Sequence, residues 1–170
     1  MKAYTYPLEL LADHVGRHPE RPYLHQPVNR VWRTFTWREV DTQARRLASG
    51  LRAQGYQAGD RIAILSKNCA EWFIADFAIM MAGLVSVPIY PTASAATIRY
   101  VLEHSEARAI FLGKLDATEP ADEAIGPQLL RIALALCCAL RTSPPTPAAP
   151  RGPHPGCSGR CRAHRRTACW

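Results

Sequence analysis

Three short apolar runs, Arg61–Leu65, Val85–Ile89 and Ala109–Leu112, are separated by stretches of helical length, and this rhythm leaves the chain few folds. Each run is too short for a helix and apolar enough to be buried on both faces, as a strand of a parallel sheet is. Ser66-Lys67-Asn68 reads as a tight loop, followed by a helix over 69–82 that Gly83 closes. Thr97 to His104 lies in a second helix between the second and third runs. Strand–helix–strand–helix–strand implies parallel pairing with right-handed crossovers and helices on both faces. The expected class is α/β, an incomplete open, mostly parallel sheet with flanking helices, of which this segment supplies about the first half.

Upstream, Pro7 to His18 sets Leu8, Leu11, Ala12 and Val15 on one helical stripe, and Pro19 stops it. Val31 to Phe35 roughly alternates apolar and polar, as a half-buried strand does. Thr36 and Glu39 fit a capping box opening a helix whose apolar face is Val40, Ala44, Leu47, Ala48 and Leu51. Gly55 suits its left-handed end.

The formal net charge of +7 would point to an acidic partner if it belonged to this folded part. It does not. Residues 1–134 hold 15 Lys and Arg against all 14 Asp and Glu, whereas 135–170 hold six Arg and no acid. The same 36 residues carry five of the six Cys and no Ile, Val, Phe, Tyr or Met, so a core has little to form around. The expectation is therefore a domain over 1–134 and a disordered Arg/Pro/Ala/Cys-rich tail over 135–170. The amino terminus lacks a signal-peptide apolar region. The longest uncharged run, 77–98, carries Gly83, Pro88 and Pro91 and reads as a buried helix followed by a buried strand, not a membrane span. A cytoplasmic protein with no transmembrane segment is expected.

Ligands of open α/β sheets bind at the carboxyl ends of the strands, which here are Ser66-Lys67-Asn68 and Tyr90-Pro91-Thr92-Ala93-Ser94. Lys67 beside a helix start could hold an anion, but Ser66 or Asn68 capping the helix with Lys67 in solvent is the preferred reading. The second loop has hydroxyls and no glycine to wrap a phosphate. Neither GxGxxG nor GxxxxGK[ST] occurs, so nicotinamide dinucleotides and P-loop nucleotides are unsupported. His14 and His18 are four apart, yet Val15 stands where a zinc-protease motif needs Glu, and helix-end dipole contacts account for both. His104 reads the same way, and His25 has no evident partner. Cys69 near Lys67 could have a lowered thiol pKa, but a buried inert thiol is the preferred reading. In the tail, Cys157-x-x-x-Cys161-x-x-His164 with Cys169 counts four zinc ligands, but at loose spacing and without apolar residues around them. Its arginines have only Trp170 for base stacking, so no nucleic-acid partner is expected.

Several segments together resemble the start of the AMP-forming acyl-CoA synthetases, most of all bacterial long-chain fatty-acid–CoA ligases. They are Phe35-Thr36-Trp37 through Ala44-Arg45-Arg46-Leu47-Ala48, Gly59 to Leu65, Ser66-Lys67-Asn68-Cys69-Ala70-Glu71-Trp72, Met81-Ala82-Gly83, Val87 to Thr92, and Thr97 to Ala107. The resemblance covers about residues 7–134. It implies a parent that uses ATP and Mg to convert a fatty acid into an acyl-adenylate, then transfers the acyl group to coenzyme A.

In that family the phosphate loop ending in Lys-Gly, a metal-binding Glu, a ribose-binding Asp and a mobile Lys lie later in a much longer chain. The lysines here are Lys2, Lys67 and Lys114, none in a Gly-rich setting, so no catalytic, cofactor or metal residue is carried over. ATP, Mg and coenzyme A are thus expected only of the parent. The abrupt change after Leu134 looks like a GC-rich gene read in a shifted frame, which implies a truncated, inactive ligase of undetermined acyl-chain preference and oligomeric state. Its open sheet edge would make it poorly soluble. The alternative is a small α/β binding module with a basic zinc- or nucleic-acid-binding tail.

Overall fold

The computed structural model describes residues 6–28 and 30–134. Helix α1 (Pro7–Arg17) starts on a proline, whose missing amide hydrogen is tolerated in the first turn, and buries Leu11. Strands β1 (Pro22–Val28) and β2 (Val31–Thr36) form an antiparallel hairpin. Helix α2 (Trp37–Ala53) opens on the expected capping box: Thr36 Oγ1 accepts from the Glu39 amide at 3.2 Å, and Glu39 Oε2 accepts from the Thr36 amide at 2.8 Å. Its buried face is Val40, Ala44, Ala48 and Leu51, with Leu47 half-buried, and Gly55 follows it at φ +85°.

The remaining elements are β3 (Arg61–Leu65), α3 (Ala70–Met81), β4 (Val85–Ile89), α4 (Ala95–Ser105), β5 (Ala109–Leu112), α5 (Glu119–Ala124) and β6 (Leu130–Ala133). The four strands form one parallel sheet in the order β4-β3-β5-β6, with Ile62 beside Ser86 and Ala109, and Ala109 beside Leu130. Helices cover both faces. Ile62, Ile64 and Phe111 pack under α1, α2 and α3, whereas Ala63, Leu65 and Ile110 pack under α4 and α5. Ile62, Ile64, Ile110 and Phe111 are fully buried, as expected for the middle of a sheet covered on both sides.

One expectation needs correction. The second apolar run is not a buried strand but an edge strand, with Val85 46% exposed and only Ile89 buried. Pro88 fits there, because an edge strand leaves one row of amides unpaired. The strands β1 and β6 and the short helix α5 were not expected from sequence. No helix among the described residues is long and apolar enough to cross a membrane.

Candidate functional site

The strand order places a switch point between β3 and β5. The chain leaves β3 toward α3 on one face of the sheet and leaves β5 toward α5 on the other. Such a divergence ordinarily opens a crevice for ligand. Here the two loops close on each other. The Lys67 amide donates to the Lys114 carbonyl at 2.9 Å, and the Gly113 amide donates to the Leu65 carbonyl at 3.1 Å. Ser66, 2% exposed, sits against Gly113 and turns its hydroxyl onto the Lys67 carbonyl at 2.8 Å. A Cβ on Gly113 would lie 2.1 Å from Ser66 Oγ and 2.6 Å from Leu134 Cδ1, so only glycine lets the loops approach this closely.

The polar groups of the first loop are occupied differently from either sequence reading. Lys67 pairs through its ammonium with the exposed Asp116 carboxylate, so its anion is supplied by the chain itself. Neither Ser66 nor Asn68 caps α3. The N-cap is Cys69, which makes no side-chain cap bond, and the Ala70 amide donates instead to Gln26 Oε1 at 3.1 Å, from the hairpin. In the second loop, Ser94 Oγ accepts from the Thr97 amide at 3.2 Å and so caps α4.

Beside the closed crevice, on the α4–α5 face, lies an open pocket of about 220 Å³. Leu65, Pro91, Ala93, Ile98, Leu115 and Ala121 form its apolar wall, with Thr92 and Asp116 as its polar groups. No cation lines it, so it suits a small apolar group better than a phosphate. A wider cleft of about 440 Å³ runs between α1, α2 and α3, with Asp41, Arg45 and Arg52 among its walls. Arg45 Nε donates to Asp41 Oδ2 at 2.8 Å and Arg52 donates to the Met81 carbonyl, while Asp41 Oδ1 is buried without a hydrogen-bond partner.

Among the described histidines, His14 and His104 stack on aromatic rings. His14 stacks on Trp37 at 4.3 Å between ring centroids, and Trp37 stacks in turn on Tyr23 at 3.6 Å. His18 is the C-cap of α1 with non-helical backbone, so the two imidazoles do not share a helical face. His25 Nδ1 lies 3.2 Å from Thr34 Oγ1 across the hairpin, a partner set by strand register. His104 stacks on Tyr100 one turn earlier. Burial pushes the Cys69 thiol up, and hydrogen bonding from the Trp72 amide only partly offsets it, so the lowered pKa that proximity to Lys67 suggested is not found. Among the described residues no three His, Cys, Asp or Glu gather to hold a metal ion. The Cys157, Cys161, His164 and Cys169 set, the basic tail and Lys2 lie outside the described residues.

A parallel sheet with its helices wound both ways, opened by an antiparallel hairpin, is the frame found in adenylate-forming enzymes. The fatty acid AMP ligase of Legionella pneumophila superposes with a TM-score of 0.62 at 19% identity, over 76% of this chain and 23% of that one. The N-terminal subdomain of Klebsiella oxytoca NpsA gives 0.64 at 23% identity, over 84% of this chain and 34% of that one. Residues 11–150 match the AMP-binding enzyme family, and the chain belongs to it. That match continues past Leu134 to residue 150. The chain is 41% identical over 102 residues to the long-chain-fatty-acid–CoA ligase FadD15 of Mycobacterium bovis, covering 60% of this chain and 17% of that protein. It is 34% identical over 82 residues to long chain acyl-CoA synthetase 1 of Arabidopsis thaliana, covering 48% of this chain and 12% of that one. The chain therefore spans less than a fifth of the length of these relatives.

Proposed function

We propose that this chain carries the opening segment of a cytoplasmic fatty-acid–CoA ligase and forms no acyl-adenylate by itself. The whole ligase joins a fatty acid to AMP at the expense of ATP, with Mg and release of pyrophosphate, and then passes the acyl group to the thiol of coenzyme A. The 41% identity to a long-chain-fatty-acid–CoA ligase supports this choice of parent within the family. The closed switch point supports the second half of the reading. Adenylate formation needs donors and a cation around shifting phosphate charge. At the carboxyl edge described here, Lys67 is already held by Asp116 and Ser66 is turned onto backbone. The phosphate-binding, metal-binding and adenylating groups then come from chain outside residues 6–134.

Residues 135–170 are, on this reading, the product of a shifted frame, a boundary that the family match to residue 150 does not share. Its support is the loss of every acid and of Ile, Val, Phe, Tyr and Met after Leu134. ATP–pyrophosphate exchange with a long-chain fatty acid tests the assignment. The 170-residue chain alone should give the blank rate, and exchange should appear when the remainder of a ligase is added. Exchange by the chain alone would refute the reading. Translating the nucleotides after codon 134 in the two other frames tests the frameshift, which fails if neither contains a Ser/Thr/Gly-rich loop ending in Lys-Gly.

A further inference from the structure

We propose that the Arg-rich segment 135–170 docks on the outer face of helix α3 of its own chain and covers it. By helical spacing Trp72, Phe73, Asp76 and Met80 share that face. Phe73 is 37% exposed, and Trp72, Asp76 and Met80 are half-buried. The Trp72 and Phe73 rings meet edge to face, with 5.5 Å between centroids. Asp76 has no ion-pair or hydrogen-bond partner among the described residues. Open ring surface one turn from a free carboxylate is a combination that takes a guanidinium, by stacking and by charge.

Charge and chain path select the occupant. From residue 68 to residue 98 the chain has Glu71 and Asp76 and no Lys, Arg or His, whereas 135–170 has six Arg and no acid. Arg52 of α2 meets α3 at its far end, on the Met81 carbonyl. A second copy would set this acidic face against its like, which repulsion disfavours. The path to the segment is short. Strand β6 runs parallel to β5, and β5 to β3, so Leu134 emerges at the carboxyl edge, where α3 begins. Leu134 is buried in the same cluster as Ala70 and Ile74 of α3, and both Leu134 and Ser66 lie against Gly113. Arg141 is seven residues beyond Leu134, a reach of about 23 Å of extended chain. Phe73 is likewise seven residues beyond Ser66, and the span is shorter because α3 is helical from Ala70. Tethering holds the segment at about millimolar effective concentration, so weak contacts suffice. The proposal stands on composition and chain path and does not depend on the ligase or shifted-frame reading.

Photo-crosslinking of the 170-residue chain tests it, with p-benzoylphenylalanine replacing Phe73 and the products read by gel and by peptide mass spectrometry. Cross-links should join the position-73 peptide to peptides of 135–170 and should run as monomer. The same probe replacing Tyr100, 64% exposed on α4 across the sheet, should give far fewer of them. Asp76→Lys in the position-73 probe chain should lower the yield by about threefold or more, high salt should also lower it, and Asp76→Glu should keep it. The far-UV circular dichroism of each variant should match the parent. Absence of 135–170 peptides from the products overturns the proposal, as do equal yields from positions 73 and 100 or a yield untouched by Asp76→Lys. Cross-links confined to the dimer band also overturn it, by assigning the face to a second copy.

Discussion

Gly113→Ala isolates the contact that shuts the switch point. Gly113 does not sit at positive φ, so alanine meets no backbone strain there, and the cost comes from crowding alone. Its Cβ would stand 2.1 Å from Ser66 Oγ, 2.5 Å from Ser66 Cβ and 2.6 Å from Leu134 Cδ1. The hydroxyl and the leucine methyl can rotate away, but the Ser66 Cβ is fixed to the backbone at the end of β3. Ser66 and Leu134 are each 2% exposed, which leaves little room for either to retreat. Overpacking of this kind costs about 1–3 kcal/mol, and contact with a fixed Cβ places Gly113→Ala in the upper half of that range. At about 2 kcal/mol the melting temperature should fall by roughly 6–10 °C.

Gly126 supplies the internal control. A Cβ there meets Oε1, Nε2 and Cδ of Gln128 at 2.4, 2.6 and 2.8 Å, distances as short as those at Gly113. Those atoms end a flexible side chain that can swing clear, so Gly126→Ala should stay within about 0.5 kcal/mol of the parent. Urea unfolding of the 170-residue chain at low concentration, followed by circular dichroism, measures both. Adding Ser66→Gly to Gly113→Ala removes the Oγ and Cβ contacts together and should recover most of the loss relative to Ser66→Gly alone, giving a coupling of about 1 kcal/mol or more. Equal effects of Gly113→Ala and Gly126→Ala, or no coupling to Ser66, would refute the reasoning.

Gln26→Ala leaves the Ala70 amide without its acceptor and should cost about 0.5–2 kcal/mol in the same unfolding measurement, although Gln26 is outside the helix that it caps. Thr36→Ala breaks the capping box of α2 and should cost a similar amount, read by the same transition. Asp60 is held below the ordinary carboxylate range by the Gln57 amide, which donates to it at 2.8 Å, and by Arg108. Its stabilising effect is therefore present above the unfolded pKa of about 4 and lost as pH falls through the lower folded value, so Asp60→Asn should flatten that acid limb. Cys69, whose thiol burial pushes up, should be alkylated by iodoacetamide at pH 8 more slowly than free glutathione when the labelled peptides are followed by mass spectrometry.

The parts of the fold legible in sequence are those set by short-range chemistry. Strands β3, β4 and β5 coincide with short apolar runs that lie close to turn residues, Gly59-Asp60 and Ser66 around β3, Gly83 and Pro91 around β4, and Gly113 after β5. The capping box at Thr36 and Glu39 spans three residues and carries its own geometry. Strand β1 stayed hidden behind Pro22 and Pro27, which a two-stranded ribbon tolerates because each strand is an edge. Strand β6 lies inside a longer, mostly apolar stretch from Leu129 to Leu134 that marks no strand ends of its own, and pairing with β5 is what sets its bounds.

The site was harder to read, because the Lys67 ammonium and the first amide of α3 are satisfied by residues far along the chain. Asp116 is 49 residues from Lys67 and Gln26 is 44 from Ala70, and neither distance leaves a local pattern. A loop read alone offers Ser66, Lys67 and Asn68 as ready donors. In the folded chain Lys67 faces a carboxylate, Ser66 faces a carbonyl, and the nearest helix amide faces a hairpin glutamine. This consumption of donors has an energetic reason. Ser66 is buried, and its hydroxyl would lose hydrogen bonding to water without a partner inside the protein. A phosphate arriving at this edge would have to displace Asp116 from Lys67 and separate two loops joined by the Lys67–Lys114 and Gly113–Leu65 backbone bonds. The two interactions differ in strength. The Lys67–Asp116 pair is 40% and 75% exposed, so it contributes little to stability and can be exchanged for another anion. The two backbone bonds join the loops directly and the Ser66 side of the Ser66–Gly113 contact is buried, so together they set the floor against which any ligand would lie.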